Sequence, residues 1–281
     1  MSTAHTLGGV GFAAAAAVCF DGAVAWQALE ARSEPTLRAG HLLARLVRRP
    51  RWLVATAVAA IGWPLQLAAL WLAPVTVVQP TLAFGLVVLL ITSAVVLHER
   101  IGALEIAGAA GVIAGVAVLT WAAPDQEDSH ASLVALLAVT APLALVAVAS
   151  WIRHMGGRIA ALGAAAGFVG TGLTTKLVSD GISTSDVLAI VGWGALTVVL
   201  AISAAADDMT AMQELPASRV APAILVAEIA VPVALAPFLF GEHWGHTPGG
   251  GAWIVVGLLL VLCGAVPLAA STTSATEGSA A

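Results

Sequence analysis

Charge is what this sequence has least of. Only 10% of its 281 residues are Asp, Glu, Lys or Arg, where a soluble globular domain carries roughly 25%. No polar stretch is long enough to form a soluble domain. The net charge of −5 leaves no basic surface for nucleic acid, which is excluded as a partner. Cysteine is nearly absent as well. Cys19 and Cys263 each sit inside an apolar run, so no disulfide framework is indicated. The patterns GxxxxGK[ST], HExxH, CxxC and GxSxG are all missing. Nothing points to an enzyme, a nucleotide-driven pump or a bound cofactor, and any transport must draw on gradients. The start of the chain lacks the basic region of a signal peptide, and Asp21 interrupts its first apolar run, which therefore reads as a retained helix.

What the sequence has in place of charge is apolar length. Hydrophobic residues make up 60% of it, and a helical membrane span needs ~20 of them in succession. Such runs fall at Leu7–Leu29, Trp52–Leu72, Val75–Leu97, Leu104–Trp121, Ser132–Trp151, Ile159–Ser179, Val187–Ala206, Ser218–Phe240 and Gly251–Ala270. They are continuous rather than alternating, which favours helices over a barrel. The expected fold is all-α: one polytopic membrane bundle over residues 1–281 with about nine transmembrane helices. The small, polar stretch 271–281 predicts a disordered tail.

The arginines orient the bundle. Arg32, Arg38, Arg45, Arg48, Arg49 and Arg51 share the first long linker. If that linker is cytoplasmic, nine spans also place Arg100, Arg153, Arg158 and Arg219 inside, leaving only Lys176 elsewhere. Asp125, Glu127 and Asp128 then lie outside. This predicts a multi-pass protein of the inner (plasma) membrane, amino terminus out and carboxyl terminus in. Trp26, Trp52, Trp71, Trp121, Trp151, Trp244 and Trp253 fall near span ends, as interfacial anchors should.

The chain also repeats itself. Pro74 and Pro80, six apart, recur as Pro216 and Pro222. An apolar run follows each, ending at His98-Glu99-Arg100 and at Gly241-Glu242-His243. Pro80 to Glu99 spans 19 residues and Pro222 to Glu242 spans 20. A glycine-bearing helix closes each unit, with Gly108 and Gly115 in one and Gly257 and Gly264 in the other. The first repeat covers 7–122 with four helices, the second 132–270 with five. The Glu99 and Glu242 loops fall on opposite faces, so the repeats are inverted, an arrangement found in many transporters.

The pattern Pro-x5-Pro, apolar run, Gly/His-Glu, then a glycine-spaced helix resembles the drug/metabolite transporter (DMT) superfamily, including its EamA-type members. Arg51-Trp52, Trp71-Leu72-Ala73-Pro74, Val78-Gln79-Pro80 and His98-Glu99-Arg100 carry the likeness, which covers roughly residues 7–270. Within the superfamily the layout is most similar to the magnesium-transporter-like, NIPA-type branch. The family pattern has ten helices in two groups of five. Here the first group has four, His98 stands for the family glycine, and the loop after Glu242 is about six residues longer.

Ionisable residues within spans cost at least ~2.5 kcal/mol at the helix centre, so they mark candidate sites. Glu228 falls near the midplane and Asp21 in the cytoplasmic half of the first span. Both are candidates for a substrate, cation or proton site. Each also has a packing role open to it, as a protonated or hydrogen-bonded residue. Lys176 lies close to an outer end, where it either snorkels or takes part in a buried ion pair or an anion contact. Gln66 and Gln79 either bond between helices or line a pathway. Pro80 and Pro222 each free a carbonyl and are expected to kink their helices near the site. Glu99 and Glu242 are expected to fix the turns into the closing helices, while Asp207, Asp208 and Glu214 form a solvated loop or a vestibule. Gly111-x3-Gly115 and Gly163-x3-Gly167 indicate close helix contact. His243 and His246 make only a weak metal candidate, so the metal question stays open.

Three functions fit. The first is a secondary transporter (permease) working by alternating access on a small metabolite or organic cation. The second is a Mg²⁺ transporter of NIPA-like type, since one or two carboxylates with amides can hold a partly hydrated Mg²⁺. The third is a non-transporting membrane scaffold, which requires no wet centre. The bilayer and a small-molecule or cation substrate are the expected partners, and a homodimer is left open.

Overall fold

A computed structural model describes residues 3–32, 44–88, 102–126, 132–152, 156–215 and 217–278. Arg38, His98-Glu99-Arg100, Glu127, Asp128 and Arg153 lie outside the described residues, as does the later part of the third expected span. The helices are α1 (Thr3–Arg32), α2 (Pro50–Leu72), α3 (Val75–Leu82), α4 (Ala103–Trp121), α5 (Leu133–Ile152), α6 (Gly157–Thr184), α7 (Val187–Glu214), α8 (Ala217–Leu239) and α9 (Ala252–Gly278). The only strands among the described residues are β1 (Asp125–Gln126) and β2 (Glu242–His243). They pair antiparallel, Asp125 opposite His243 and Gln126 opposite Glu242. The molecule is thus an all-α bundle.

Five stretches are long and apolar enough to cross a membrane: Ala4–Ala23, Pro50–Leu72, Ala103–Trp121, Gly157–Thr184 and Val187–Ala211. Four shorter apolar helical stretches accompany them, at Val75–Val88, Leu133–Ala149, Ala223–Leu239 and Ala252–Pro267. The interior is mainly apolar, but so is much of the surface, and several polar side chains are buried. Leu104, Val134, Leu145, Val187, Leu188 and Phe238 are exposed, while Thr76, Gln79, Thr174, Lys176, Asp207 and Glu242 are buried. Exposed apolar area on this scale is incompatible with a monomer in water and suits lipid. The molecule has the build of a membrane protein. In α6, 72% of the spanning window is buried, against 22–33% in the other four, so α6 is the central helix.

Local sequence explains several joints. Pro80 has no N–H to give to the carbonyl one turn back. The helix it sits in ends at Leu82, and Ala83 turns, its N–H bonded to the Pro80 oxygen at 3.1 Å. Helical backbone resumes at 84–88. Pro80 itself sits inside the helix, and the interruption comes three residues after it, at Ala83. Pro222 falls within α8, and its side chain lies outside the described ones. At the end of α6, Ser185 adopts φ +57° as a left-handed cap and Asp186 accepts from the N–H of Ala189 at 3.1 Å. These two residues fold α6 back on α7. Gly249, Gly250 and Gly251 all have positive φ, which fits the turn into α9 to the longer loop after Glu242.

α1 packs on α2, α6 on α7, and α4 on α9, with α5 against α6 and α7. The α4–α9 contact runs through glycine. A β-carbon at Gly115 would stand 2.7 Å from the Gly257 oxygen, and one at Gly264 would stand 2.5 Å from the Gly108 oxygen. The two helices therefore run antiparallel with backbones touching. Several helices extend past the expected spans, α7 and α9 the furthest. α7 continues to Glu214 and α9 to Gly278, since neither extension holds a proline or glycine that would stop a helix before that point.

Candidate functional site

Asp21 and Glu228 come from helices far apart in sequence, and the fold brings them together. Asp21 stands on α1 eleven residues before Arg32. Glu228 stands on α8 eleven residues after Ala217, about 16 Å along the helix. Their carboxylates are within electrostatic reach of each other. Glu228 in turn feels Asp208 of α7, and Asp208 feels its neighbour Asp207. A run of four carboxylates thus passes from α1 through α8 to α7. Asp21, Glu228 and Asp208 are half-buried, while Asp207 is fully buried.

Glycines make room for this run. The Asp21 carboxylate packs directly against Gly85, just past the break after Pro80, in the space a β-carbon would fill. Asp207 Oδ2 occupies the equivalent space at Gly163 of α6. Asp208 Oδ1 is buried with no hydrogen-bond partner. Burying like charges close together in a bundle costs free energy, and a cation or a shared proton is the chemistry that relieves it. The expectation that Asp207 and Asp208 form a solvated loop is corrected. They lie inside α7, because the helix runs one to two turns past Ala206. Glu214 accepts from the Gly157 N–H at 2.5 Å, so it caps α6 rather than lining a vestibule.

Nearer the other end of α6, Lys176 is 6% exposed. It donates to Asp180 Oδ1 at 2.7 Å and to the Leu70 carbonyl at 3.4 Å. Lys176 is thus ion-paired with Asp180, whose side chain is 34% exposed. Asp180 is a residue the sequence reading missed. Its signal was the i, i+4 spacing from Lys176. Gln79 is 1% exposed, its Nε2 has no hydrogen-bond partner, and it packs against Gly172 of α6. Gln66 is buried on α2. Neither joins the carboxylate run directly. Thr174 and Thr197 hydroxyls pair at 2.8 Å, and Trp63 Nε1 donates to Thr175 Oγ1 at 3.2 Å.

Glu242 departs from expectation. It is fully buried and caps the start of α3, 167 residues earlier in the chain. Oε1 accepts from the Val75 N–H at 2.6 Å. Oε2 accepts from the Thr76 N–H at 3.2 Å and from the Thr76 hydroxyl. A carboxylate at a helix N-terminus is favoured by both the free N–H groups and the dipole. Burial pushes the Glu242 carboxyl above the usual glutamate range, while the Thr76 and Val75 donors and the Lys176 charge pull it back. Its role is to join distant elements, not only to fix its own turn. No family model, curated protein or solved structure matches the chain.

Cys19 and Cys263 are free. Among the described residues no three His, Cys, Asp or Glu side chains converge to hold a metal ion. A cleft of about 490 Å³ lies further along α1 from Asp21, lined by Trp26, Glu30, Pro50, Arg51 and Val54.

Proposed function

We propose that this chain is a secondary transporter of the drug/metabolite type, carrying a small metabolite or organic cation by alternating access. It crosses the inner membrane nine times, with its amino terminus outside and its carboxyl terminus in the cytoplasm. The observation that carries this reading is that Asp21, packed against Gly85, lies within electrostatic reach of Glu228, one carboxylate from each half. A wet, acidic centre between two bundles is what a cation-coupled or cation-carrying site requires.

The helix packing supports the inverted repeat. Exchange α1 with α6, α2 with α7, α3 with α8 and α4 with α9. The α1–α2 contact then maps onto α6–α7, α1–α3 onto α6–α8, and α3–α4 onto α8–α9. The α4–α9 contact maps onto itself: Gly115 meets Gly257 and Gly264 meets Gly108, as a two-fold axis demands. Only α5 has no counterpart, which accounts for four helices in one half and five in the other.

The Mg²⁺ reading would use the same carboxylates, since one or two of them with amides and waters can hold the ion, and the flux panel separates the two. A scaffold gives no reason to bring acidic side chains together half-buried. The test is flux into proteoliposomes across a panel of amines, amino acids and Mg²⁺. A cation or metabolite moved by the wild type, and not by Asp21→Asn or Glu228→Gln, supports the proposal. Wild-type flux in both variants refutes the assigned roles.

A further inference from the structure

The two halves are tied together at the end of the bundle where Glu242 lies. Glu242, on the strand after α8, holds the backbone and hydroxyl of Thr76 and the N–H of Val75 at the start of α3. Trp244 Nε1 donates to Thr76 Oγ1 at 3.3 Å. On the facing side, Lys176 and Ser179 of α6 donate to the Leu70 and Leu67 carbonyls of α2, at 3.4 and 3.3 Å. Inside these contacts sits an apolar plug drawn from both halves: Val75 and Val78 of α3, Leu173 and Leu177 of α6, Leu239 and Phe240 at the end of α8. All six of these residues are buried, whereas Asp21, Glu228 and Asp208 lie further along the bundle and are half-buried.

The chemistry of these ties is suited to release. The Leu67 carbonyl lies inside α2 and already serves the helix, while Leu70, four residues before Pro74, is one of the helix's free terminal carbonyls, which water can satisfy in place of Lys176. The cap on α3 likewise exchanges for water, which satisfies both the N–H groups of a helix start and a free carboxylate. An apolar constriction closed by a polar latch is a gate that excludes water when shut and costs little hydrogen bonding when open.

We propose that these residues form the outer gate of the transport path, with Glu242 as its latch on α3 and Lys176 and Ser179 as the second tie. The inference rests on the transporter reading and assigns the described state as closed to the outside. Gln79, one turn beyond Thr76 on α3 and buried, lies behind the gate and is the reporter position.

The test uses the full chain in intact cells, with Cys19→Ala and Cys263→Ala removing the native thiols and Gln79→Cys added. A membrane-impermeant maleimide applied outside reads the gate. Labelling is slow in this parent, and Glu242→Gln or Thr76→Ala, by weakening charge-assisted hydrogen bonds, raises its rate about tenfold. A second arm adds Leu67→Cys and Ser179→Cys. Oxidation then abolishes the acceleration by Glu242→Gln, and reductant restores it. Unchanged labelling in monodisperse Glu242→Gln and Thr76→Ala proteins overturns the gate, as does acceleration that persists after cross-linking. Failure of the transporter reading has a separate signature, no flux of any panel solute by the wild type in proteoliposomes, which leaves the labelling rates where they are.

Discussion

Gly264→Ala probes the antiparallel contact on which the two-fold arrangement depends. A β-carbon there would stand 2.5 Å from the Gly108 oxygen, 2.8 Å from the Val112 nitrogen and 3.1 Å from the Gly111 carbonyl carbon. All three are backbone atoms of α4, so no side chain can swing aside. Relief requires α9 to retreat by roughly 1 Å, the gap to an ordinary contact distance. That loosens the packing of Val112, Leu119, Val261 and Ala265, all buried in one cluster. Overpacking of this kind costs about 1–3 kcal/mol, against a gain of about 1 kcal/mol from replacing a helical glycine by alanine. Gly192, on α7, has no atom within 4 Å of its added carbon. Gly192→Ala should therefore gain about 0.4–1 kcal/mol. The two variants should straddle the wild type and differ by roughly 2 kcal/mol. Thermal unfolding of detergent-solubilised protein, repeated at several scan rates because such unfolding is often irreversible, measures the order. Equal midpoints for Gly264→Ala and Gly192→Ala would refute the close backbone contact.

Gly85→Ala places a methyl where the Asp21 carboxylate packs, so it should lower flux in proteoliposomes while the purified protein keeps its size-exclusion profile. Asp180→Asn removes the partner of a buried lysine. It should cost about 1 kcal/mol, discounted because Asp180 is a third exposed, and adding Lys176→Met should recover part of that loss in the same thermal assay. Thr197→Val deletes a buried hydroxyl pair with Thr174, and the loss expected is about 0.6 kcal/mol, the average for hydrogen bonds between membrane helices. A loss above 2 kcal/mol would mean that Thr197 carries more than this one contact.

Much of the architecture was legible because lipid imposes a simple rule. Apolar runs of membrane length became helices close to where the sequence put them: Pro50–Leu72 was expected at Trp52–Leu72, and Ala103–Trp121 at Leu104–Trp121. Asp21 and Glu228 stood out because charge is costly at their depth, and that rule needs no knowledge of neighbours. The partners were not legible. Glu242 sits 167 residues from Val75, and nothing local to either says they meet. Asp207 and Asp208 were read as a span end because adjacent charges usually mean water. In the fold Asp207 is accommodated by the missing side chain of Gly163, and Gly167 likewise receives Ala204. The Gly163-x3-Gly167 spacing announced a close neighbour, but not that the neighbour would be acidic. The gating ties join residues distant in sequence, and nothing local to Thr76 or Lys176 names the partner.

The most direct test of the account is whether water reaches Glu228. With Cys19 and Cys263 replaced by alanine, Glu228→Cys should react with a charged, water-soluble thiosulfonate in inside-out membrane vesicles. The same reagent applied to the outside of intact cells should react far more slowly. Reaction only with a lipid-soluble thiol reagent, on either side, would mean a dry helix interface where the account requires an acidic, solvated centre, and would contradict it.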